Sequence, residues 1–236
     1  MLILRDLERG EETVCAYLPD RLSRMEYFLA IDVSAHELEY LLADGWRKFG
    51  YCYFRPHCNG CRLCIPLRVL ATKFLPSKGQ RRVARKNAGV RVEFGPLSYS
   101  DEIYDIYVEH TGMRFGDRNT AHDDFMFNFY QRSCPSFQSE YYVDGRLAAV
   151  GFLDRSSEGL SSVYFIYRES CARLSPGIFS VMREIGFARE LGLSYYYLGY
   201  FVPGCGRMEY KGGFTPHEKF SWGQKKWFTV RGRAVL

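Results

Sequence analysis

Long hydrophobic runs and export signals are absent from this sequence of 236 residues. No apolar run approaches the roughly 18 residues that a membrane-spanning helix needs, so we do not expect a membrane protein. The N-terminal residues MLILRDLERG become charged after four apolar side chains, a pattern that does not fit a signal peptide. We therefore expect a cytoplasmic protein whose eight cysteines are reduced thiols and not a disulfide framework.

Acidic residues are also absent from one long segment, residues 45–92. That segment contains twelve Lys and Arg side chains, so the rest of the chain carries a net charge of −7 although the whole chain carries only +5. Such a separation of charge indicates a polyanionic partner, and nucleic acid is the usual one. A solvated basic face without a partner is the alternative.

The densest part of the basic segment is SKGQRRVARKN, residues 77–87. Ser77 and Gln80 have the spacing of a capping box, which predicts a helix that begins there. Five cations recur at helical spacing along one face of that helix and would repel one another unless phosphates neutralised them. We predict that this face binds phosphates through Lys78, Arg81, Arg82, Arg85 and Lys86.

The remaining pattern predicts an α+β fold. A strand near residue 92 precedes two helices, a hairpin that turns at Asp144-Gly145, a third strand, a helix capped by Ser175 and a last strand near residue 197. This order is that of a GNAT-type acyltransferase, with helices flanking a mixed, mostly antiparallel sheet. We predict a small cysteine-containing basic domain over residues 1–92 and the GNAT-like domain over residues 93–236.

Four sequence segments carry a resemblance to a known family. They are CAYLPDR at 15–21, GWRKFGYCYFRPHCNGCRLCIPLRV at 45–69, FLPSKGQRRVARKN at 74–87 and YYLGYFVPGCGRMEYKGGFTPHE at 196–218. The chain resembles the aminoacyl-tRNA–protein transferases, which attach arginine (eukaryotic members) or leucine (bacterial members) to protein N-termini. Its length and its CxxCxxC segment are similar to those of the bacterial aspartate/glutamate leucyltransferases. The segment LSPG at 174–177 departs from the Ser-Leu-Gly expected at that helix start.

The resemblance implies a reaction and its partners. An amino acid, leucine in the bacterial branch, would pass from aminoacyl-tRNA to the α-amino group of proteins beginning with Asp or Glu, which marks them for degradation by the N-end rule. The five cations of residues 78–86 would then contact tRNA. Arginyl transfer, a CoA-dependent N-acetyltransferase and a non-catalytic RNA-binding protein are the alternatives. CoA is not expected, because ARLSPGIF lacks the spacing of a pyrophosphate-binding loop.

An aminoacyl ester is already activated, so transfer to an amine needs no covalent nucleophile. Holding the two reactants together can lower the activation barrier by about 7–11 kcal/mol. Tyrosine hydroxyls can relay protons or donate to an oxyanion, and a lysine can stabilise negative charge. Our candidate catalytic residues are Tyr164, Tyr197, Tyr200 and Lys211; a place in the core or at its rim is the alternative for each tyrosine.

The segment CNGCRLC, residues 58–64, has the cysteine spacing of zinc and iron–sulfur sites. The resemblance implies an iron–sulfur cluster, with Cys15 as fourth ligand beside Cys58, Cys61 and Cys64; Cys52 is the second choice for that position. Zinc and a cluster of metal-free thiols are the alternatives.

An acceptor with an N-terminal Asp or Glu needs a cation near the reacting amine. Arginine suits this role, because its planar fork can hold both carboxylate oxygens. We predict that Arg55 and Arg68, on either side of the cysteine segment, bind the acceptor. Contacts to tRNA or to surface carboxylates are the alternative.

Overall fold

The computed structural model describes residues 1–116 and 120–230 and contains a four-stranded and an eight-stranded sheet. The four-stranded sheet has the order β1-β4-β6-β5 and is accompanied by a short ribbon, β2-β3, and a helix, α1. The bounds are Leu2–Arg9 (β1), Thr13–Val14 (β2), Leu22–Ser23 (β3), Met25–Ile31 (β4), Ala35–Ala43 (α1), Arg47–Phe49 (β5) and Cys52–Pro56 (β6).

The eight-stranded sheet has the order β14-β13-β7-β12-β11-β10-β9-β8. Every neighbouring pair is antiparallel except β11 and β12, which are parallel. The bounds are Ile65–Leu70 (β7), Lys78–Lys86 (α2), Arg91–Pro96 (β8), Asp101–Phe115 (α3), His122–Tyr130 (α4), Ser136–Val143 (β9), Arg146–Arg155 (β10), Gly159–Tyr167 (β11), Pro176–Glu190 (α5), Tyr195–Phe201 (β12), Gly206–Glu209 (α6), His217–Ser221 (β13) and Lys226–Val230 (β14).

Helices cover both faces of this sheet. Alternate residues of β10 face opposite sides, so Val150 and Phe152 pack against α3 and α4, whereas Leu153 packs against α5. From β8 to β12 the elements follow the predicted order of strand, two helices, three antiparallel strands, helix and strand, and the last strand is parallel to β11. The predicted α+β class with a mostly antiparallel mixed sheet is confirmed.

Local signals in the sequence account for several element ends. The capping box predicted at Ser77 is present, a second capping box forms at Ser34, and the hairpin turns at Asp144-Gly145 with positive φ angles of 50° and 79°. The predicted side-chain cap at Ser175 is wrong. Ser175 has a left-handed backbone (φ 56°), and its carbonyl, not its hydroxyl, accepts from the amides that begin α5.

Strand β7 lies in the middle of the eight-stranded sheet, between β12 and β13. It therefore joins residues 65–70 to strands from the C-terminal part of the chain. One sheet thus contains strands from both sides of residue 92, and the division into domains 1–92 and 93–236 stays a prediction. None of the helices in the described ranges is long and apolar enough to span a membrane.

Candidate functional site at the opening between β11 and β12

The eight-stranded sheet opens between its two parallel strands. β11 and β12 pair over three residue pairs only, and the last joins Ser161 to Tyr197. Just beyond, the register of β12 against β7 shifts between Tyr197 and Gly199, and Gly199 has a φ of 82°, which favours glycine. The irregularity turns β12 away from β11 and leaves a gap in the middle of the sheet.

Two cationic side chains meet at this gap. Arg47, from β5 of the smaller sheet, donates from Nη1 to Ser161 Oγ at 2.9 Å and from Nη2 to the Ser162 carbonyl. The Lys211 Nζ donates to the Tyr200 carbonyl at 3.1 Å. A Cβ atom on Gly199 would lie 3.4 Å from Lys211 Nζ and 3.9 Å from Arg47 Cζ, so both cations border the same glycine.

Neither cation forms an ion pair within the described part of the chain. Among the described residues, no carboxylate lies within ion-pair distance of Arg47 or Lys211, and the buried Asp154 nearby is paired with Lys48 at 3.3 Å. Lys211 is buried, and burial together with the Arg47 charge lowers the pKa of its ammonium to about 7. This arrangement attracts an anion that enters the gap.

Tyr197 and Tyr200 lie on β12 beside the gap, but their hydroxyls are already hydrogen-bonded. The Tyr197 hydroxyl donates to Glu39 at 2.6 Å and accepts from Arg68 at 2.9 Å. The Tyr200 hydroxyl donates to the Gly45 carbonyl at 2.9 Å. Burial raises the pKa of both phenols. These bonds hold β12 against the N-terminal region, and a catalytic role for either hydroxyl stays a prediction.

Tyr164 lies in an aromatic cluster under α3 and α4. Its ring stacks on Phe129, with 5.3 Å between the ring centroids, and burial raises the pKa of its phenol to about 12. Of the four predicted catalytic residues, Lys211 is the one whose polar atom borders the gap and keeps unused donors.

Arg55 and Arg68, predicted to bind the acceptor, are each held by a carboxylate of the chain. Arg55 donates to Glu26 at 2.5 Å and also forms an ion pair with Asp44. Arg68 donates to Glu218 at 2.7 Å. A substrate carboxylate would have to compete with these partners, and the predicted role of both arginines remains to be tested.

The five predicted phosphate-binding cations of α2 are all exposed. None of them forms an ion pair with a carboxylate in the part of the chain that the structure describes. The helix is attached to the protein by two buried polar residues, through contacts that the sequence did not predict: Gln80 donates to the Gly213 carbonyl at 3.1 Å, and Asn87 donates to the Leu174 carbonyl at 2.9 Å. The cationic face is therefore tied to the segment that carries Lys211.

Two family models match this chain. The model described as "Arginine-tRNA-protein transferase, N terminus" matches residues 13–82, and the model of the C terminus matches residues 101–221. The chain belongs to this transferase family. The resemblance predicted from the sequence is thereby confirmed.

Curated members of this transferase family align over most of the chain. The aspartate/glutamate leucyltransferase of Pseudomonas fluorescens is 36% identical over 211 residues, which cover 86% of this chain and 88% of that protein. The enzyme of the same name from Chromobacterium violaceum is 33% identical over 222 residues, covering 92% and 90%. Among solved structures, L-PGS from Bacillus licheniformis covers 62% of this chain and 48% of its own at 12% identity and a TM-score of 0.45, which is too distant to bear on function.

In this transferase, the cysteines predicted as metal ligands gather around Cys64. Cys58 and Cys64 are buried, and Cys15 and Cys61 are half-buried. Burial raises the pKa of the Cys64 thiol to about 12, with further contributions from Cys58, Cys15, Cys61 and Cys205. Four thiols are a suitable donor set for iron or zinc. Across residues 1–116 and 120–230, however, no three His, Cys, Asp or Glu side chains converge closely enough to hold a metal ion.

A buried carboxylate on α5, Glu184, was also missed by sequence reasoning. It accepts hydrogen bonds from Ser139 at 3.2 Å, from Tyr141 at 3.4 Å and from Tyr196. Gly151 makes room for it, since a Cβ there would lie 2.7 Å from Glu184 Oε1. Burial raises the pKa of this carboxyl to about 7. The only sequence signal was an acidic residue within the apolar stripe of a helix.

We predict that Glu184→Gln alters how stability depends on pH. Because its pKa is raised in the folded state, Glu184 favours folding most below about pH 4.5, and this contribution falls by about 3 kcal/mol as the pH rises through 7. Glutamine has no such dependence. The free energy of unfolding in urea should therefore be measured at about pH 5 and about pH 8. Relative to the wild type, the variant should be more stable at pH 8 than at pH 5. The exposed Glu190→Gln on the same helix is the control, and an equal difference at both pH values contradicts the prediction.

Proposed function

We propose that this protein transfers leucine from leucyl-tRNA to the α-amino group of proteins that begin with Asp or Glu. The observation that carries the proposal is the match to aspartate/glutamate leucyltransferases over nearly nine-tenths of both chains. The added residue would mark the acceptor for degradation. A mixed sheet that opens beside two unpaired cations, next to an exposed cationic helix, supports the same reaction.

The chemistry requires little beyond positioning. The acceptor amine has an ordinary pKa of about 7.7–8.0, so part of it is neutral near pH 7 and able to attack the ester carbonyl. A C–N bond forms, the C–O bond to the terminal ribose breaks, and the amine proton ends on the released ribose hydroxyl. Binding both reactants in one place can lower the activation barrier by about 7–11 kcal/mol.

The positions of α2 and of the gap suit a charged tRNA. Phosphates would bind the exposed face of α2, and the 3′ end would extend towards the gap. Gln80 joins α2 to Gly213, two residues after Lys211, so the phosphate-binding face and the gap keep a fixed relation to each other. The ester and the tRNA backbone can then be held at the same time.

One assay tests the proposal. The protein is incubated with leucyl-tRNA, arginyl-tRNA or acetyl-CoA and with peptides that begin with Asp, Glu or Ala. The masses of the peptide products are then measured by mass spectrometry. We expect leucine on the Asp and Glu peptides only, from leucyl-tRNA only. Arginine addition or acetylation would overturn the choice of donor, and tight tRNA binding without any transfer would favour the RNA-binding alternative.

We also propose that Cys15, Cys58, Cys61 and Cys64 hold an iron–sulfur cluster. When bound, the cluster would serve to fix the fold around the cysteine segment, because metal binding is coupled to folding. Anaerobically purified protein should contain iron and absorb visible light, and Cys61→Ser should lose both and unfold more easily. Cys171→Ser is the control, since that thiol is not among the neighbours of Cys64. Colourless, iron-free protein with full activity would contradict the proposal, and bound zinc would replace it.

A further inference from the structure

The gap between β11 and β12 contains hydrogen-bond donors that the chain does not use. A guanidinium has five N–H groups and an ammonium has three. Arg47 uses one on Ser161 and one on Ser162, and Lys211 uses one on Tyr200. Among the described residues, donors of both cations therefore remain unused around Gly199.

Other buried or nearly buried cations of this region have acidic partners. Lys48 is paired with Asp154 at 3.3 Å, and Arg68 is paired with Glu218 at 2.7 Å. Placing a cation out of water costs several kcal/mol unless a partner compensates. Arg47 and Lys211 form no ion pair among the described residues, since the nearby Asp154 is paired with Lys48, and a ligand that brings an anion would relieve their mutual repulsion.

The position of the pair decides among the anions that the reaction offers. The phosphates of tRNA would bind the exposed cationic face of α2. The side-chain carboxylate of an N-terminal Asp or Glu lies only a few bonds from the attacking amine, so its receptor must border the reacting ester. A carboxylate is small, flat and permanently charged near pH 7, and it matches the planar fork of an arginine.

We propose that Arg47 and Lys211 together bind the side-chain carboxylate of the acceptor's N-terminal Asp or Glu, an inference that rests on the proposed function. Their unused donors converge on the two carboxylate oxygens, and the α-amine is held at the gap. An uncharged isostere is rejected, because Asn or Gln would leave two buried cations without a partner. The acidic preference of the enzyme is thus set by Arg47 and Lys211, while Arg55 and Arg68 stay in their internal ion pairs.

The test compares Asp and Asn peptides of otherwise identical sequence with the same enzyme preparation and leucyl-tRNA. The ratio of the two kcat/KM values does not depend on how much of a variant is folded. Arg47→Met should lower the Asp-to-Asn ratio about 10- to 100-fold, and Arg47→Lys should lower it less, because it keeps the charge and loses the fork. Arg68→Met should leave the ratio within about twofold of the wild type.

Two outcomes would overturn the proposal. They are an unchanged Asp-to-Asn ratio in Arg47→Met, which includes an equal loss of kcat/KM for both peptides, and a collapse of the ratio in Arg68→Met alone. Calorimetric binding of the Asp and Asn peptides without tRNA separates this failure from failure of the proposed function. If the wild type binds the Asp peptide more tightly than the Asn peptide, and Arg47→Met loses this difference, the carboxylate site is supported. If the same wild type transfers no leucine, only the proposed reaction is contradicted.

Discussion

Replacing Arg81, Arg82 and Arg85 of α2 with glutamate should weaken the binding of tRNA by roughly a thousandfold, or about 4 kcal/mol. The three side chains are exposed, and among the described residues they have no acidic partners, so their charge is available to phosphates. Each phosphate contact that the variant loses reduces the number of counterions released when tRNA binds. The slope of log affinity against log salt should therefore become shallower by about 1 for each arginine, or about 3 in total.

A matched control has the same change in net charge elsewhere. Glutamate at Arg5, Arg9 and Lys226 places three reversals on exposed positions of the outer strands β1 and β14. If α2 is the binding face, this control should keep nearly the wild-type salt slope. Equal losses in both triple variants would mean that tRNA responds only to the overall charge of the protein.

Lys211→Met should lower kcat/KM for an Asp peptide about 100-fold at pH 6 and less than about threefold at pH 9. Burial and Arg47 lower the pKa of Lys211 to about 7, so the wild type has the cation at the lower pH and has lost it at the higher one. Charged and titratable groups that face the ammonium are Arg47, Cys205 and Cys64. The acceptor amine titrates equally in both proteins, and its effect cancels from their ratio.

The pH dependence of stability provides a second test of the lowered pKa of Lys211. A lysine whose folded pKa is lowered binds its proton less tightly in the folded state, so it destabilises the fold as the pH falls from about 10 towards 7. Lys211→Met should therefore gain stability relative to the wild type over that range while it loses activity. Exposed Lys226→Met is the control for both measurements. Loss of activity that is the same at pH 6 and pH 9 would show that the charge of Lys211 is not what matters.

The fold could be predicted largely because its signals are local. The capping box at Ser77 and the turn at Asp144-Gly145 depend on residues within a few positions of one another, and each was found where expected. The predicted side-chain cap at Ser175 failed, because Ser175 has a left-handed backbone and its side chain makes no capping hydrogen bond. The position of β7 between β12 and β13 follows from pairings that no local pattern records.

The site was harder to predict because its residues come from distant parts of the chain. Lys211 was identified through a family segment, but Arg47 sits in a short strand of the other sheet and looks like one of many basic residues in 45–92. The gap itself depends on a register shift beside Gly199, which looks in the sequence like an ordinary glycine between Leu198 and Tyr200. The sequence could not show that Glu26 and Glu218 hold Arg55 and Arg68, and the role of both arginines in binding the acceptor stays a prediction.

The central place of β7 also has a consequence for how the protein is made. Synthesis proceeds from the N-terminus, and β7 leaves the ribosome long before β12 and β13, its partners on both sides, have been translated. The four-stranded sheet is built from residues 2–56 and can form early, whereas the eight-stranded sheet waits for pairings of long sequence separation. We expect the cationic helix to be exposed on the nascent chain while Arg47 still lacks Lys211 beside it. Catalytic competence would then arise only after Lys211 and strands β12 and β13 have been translated.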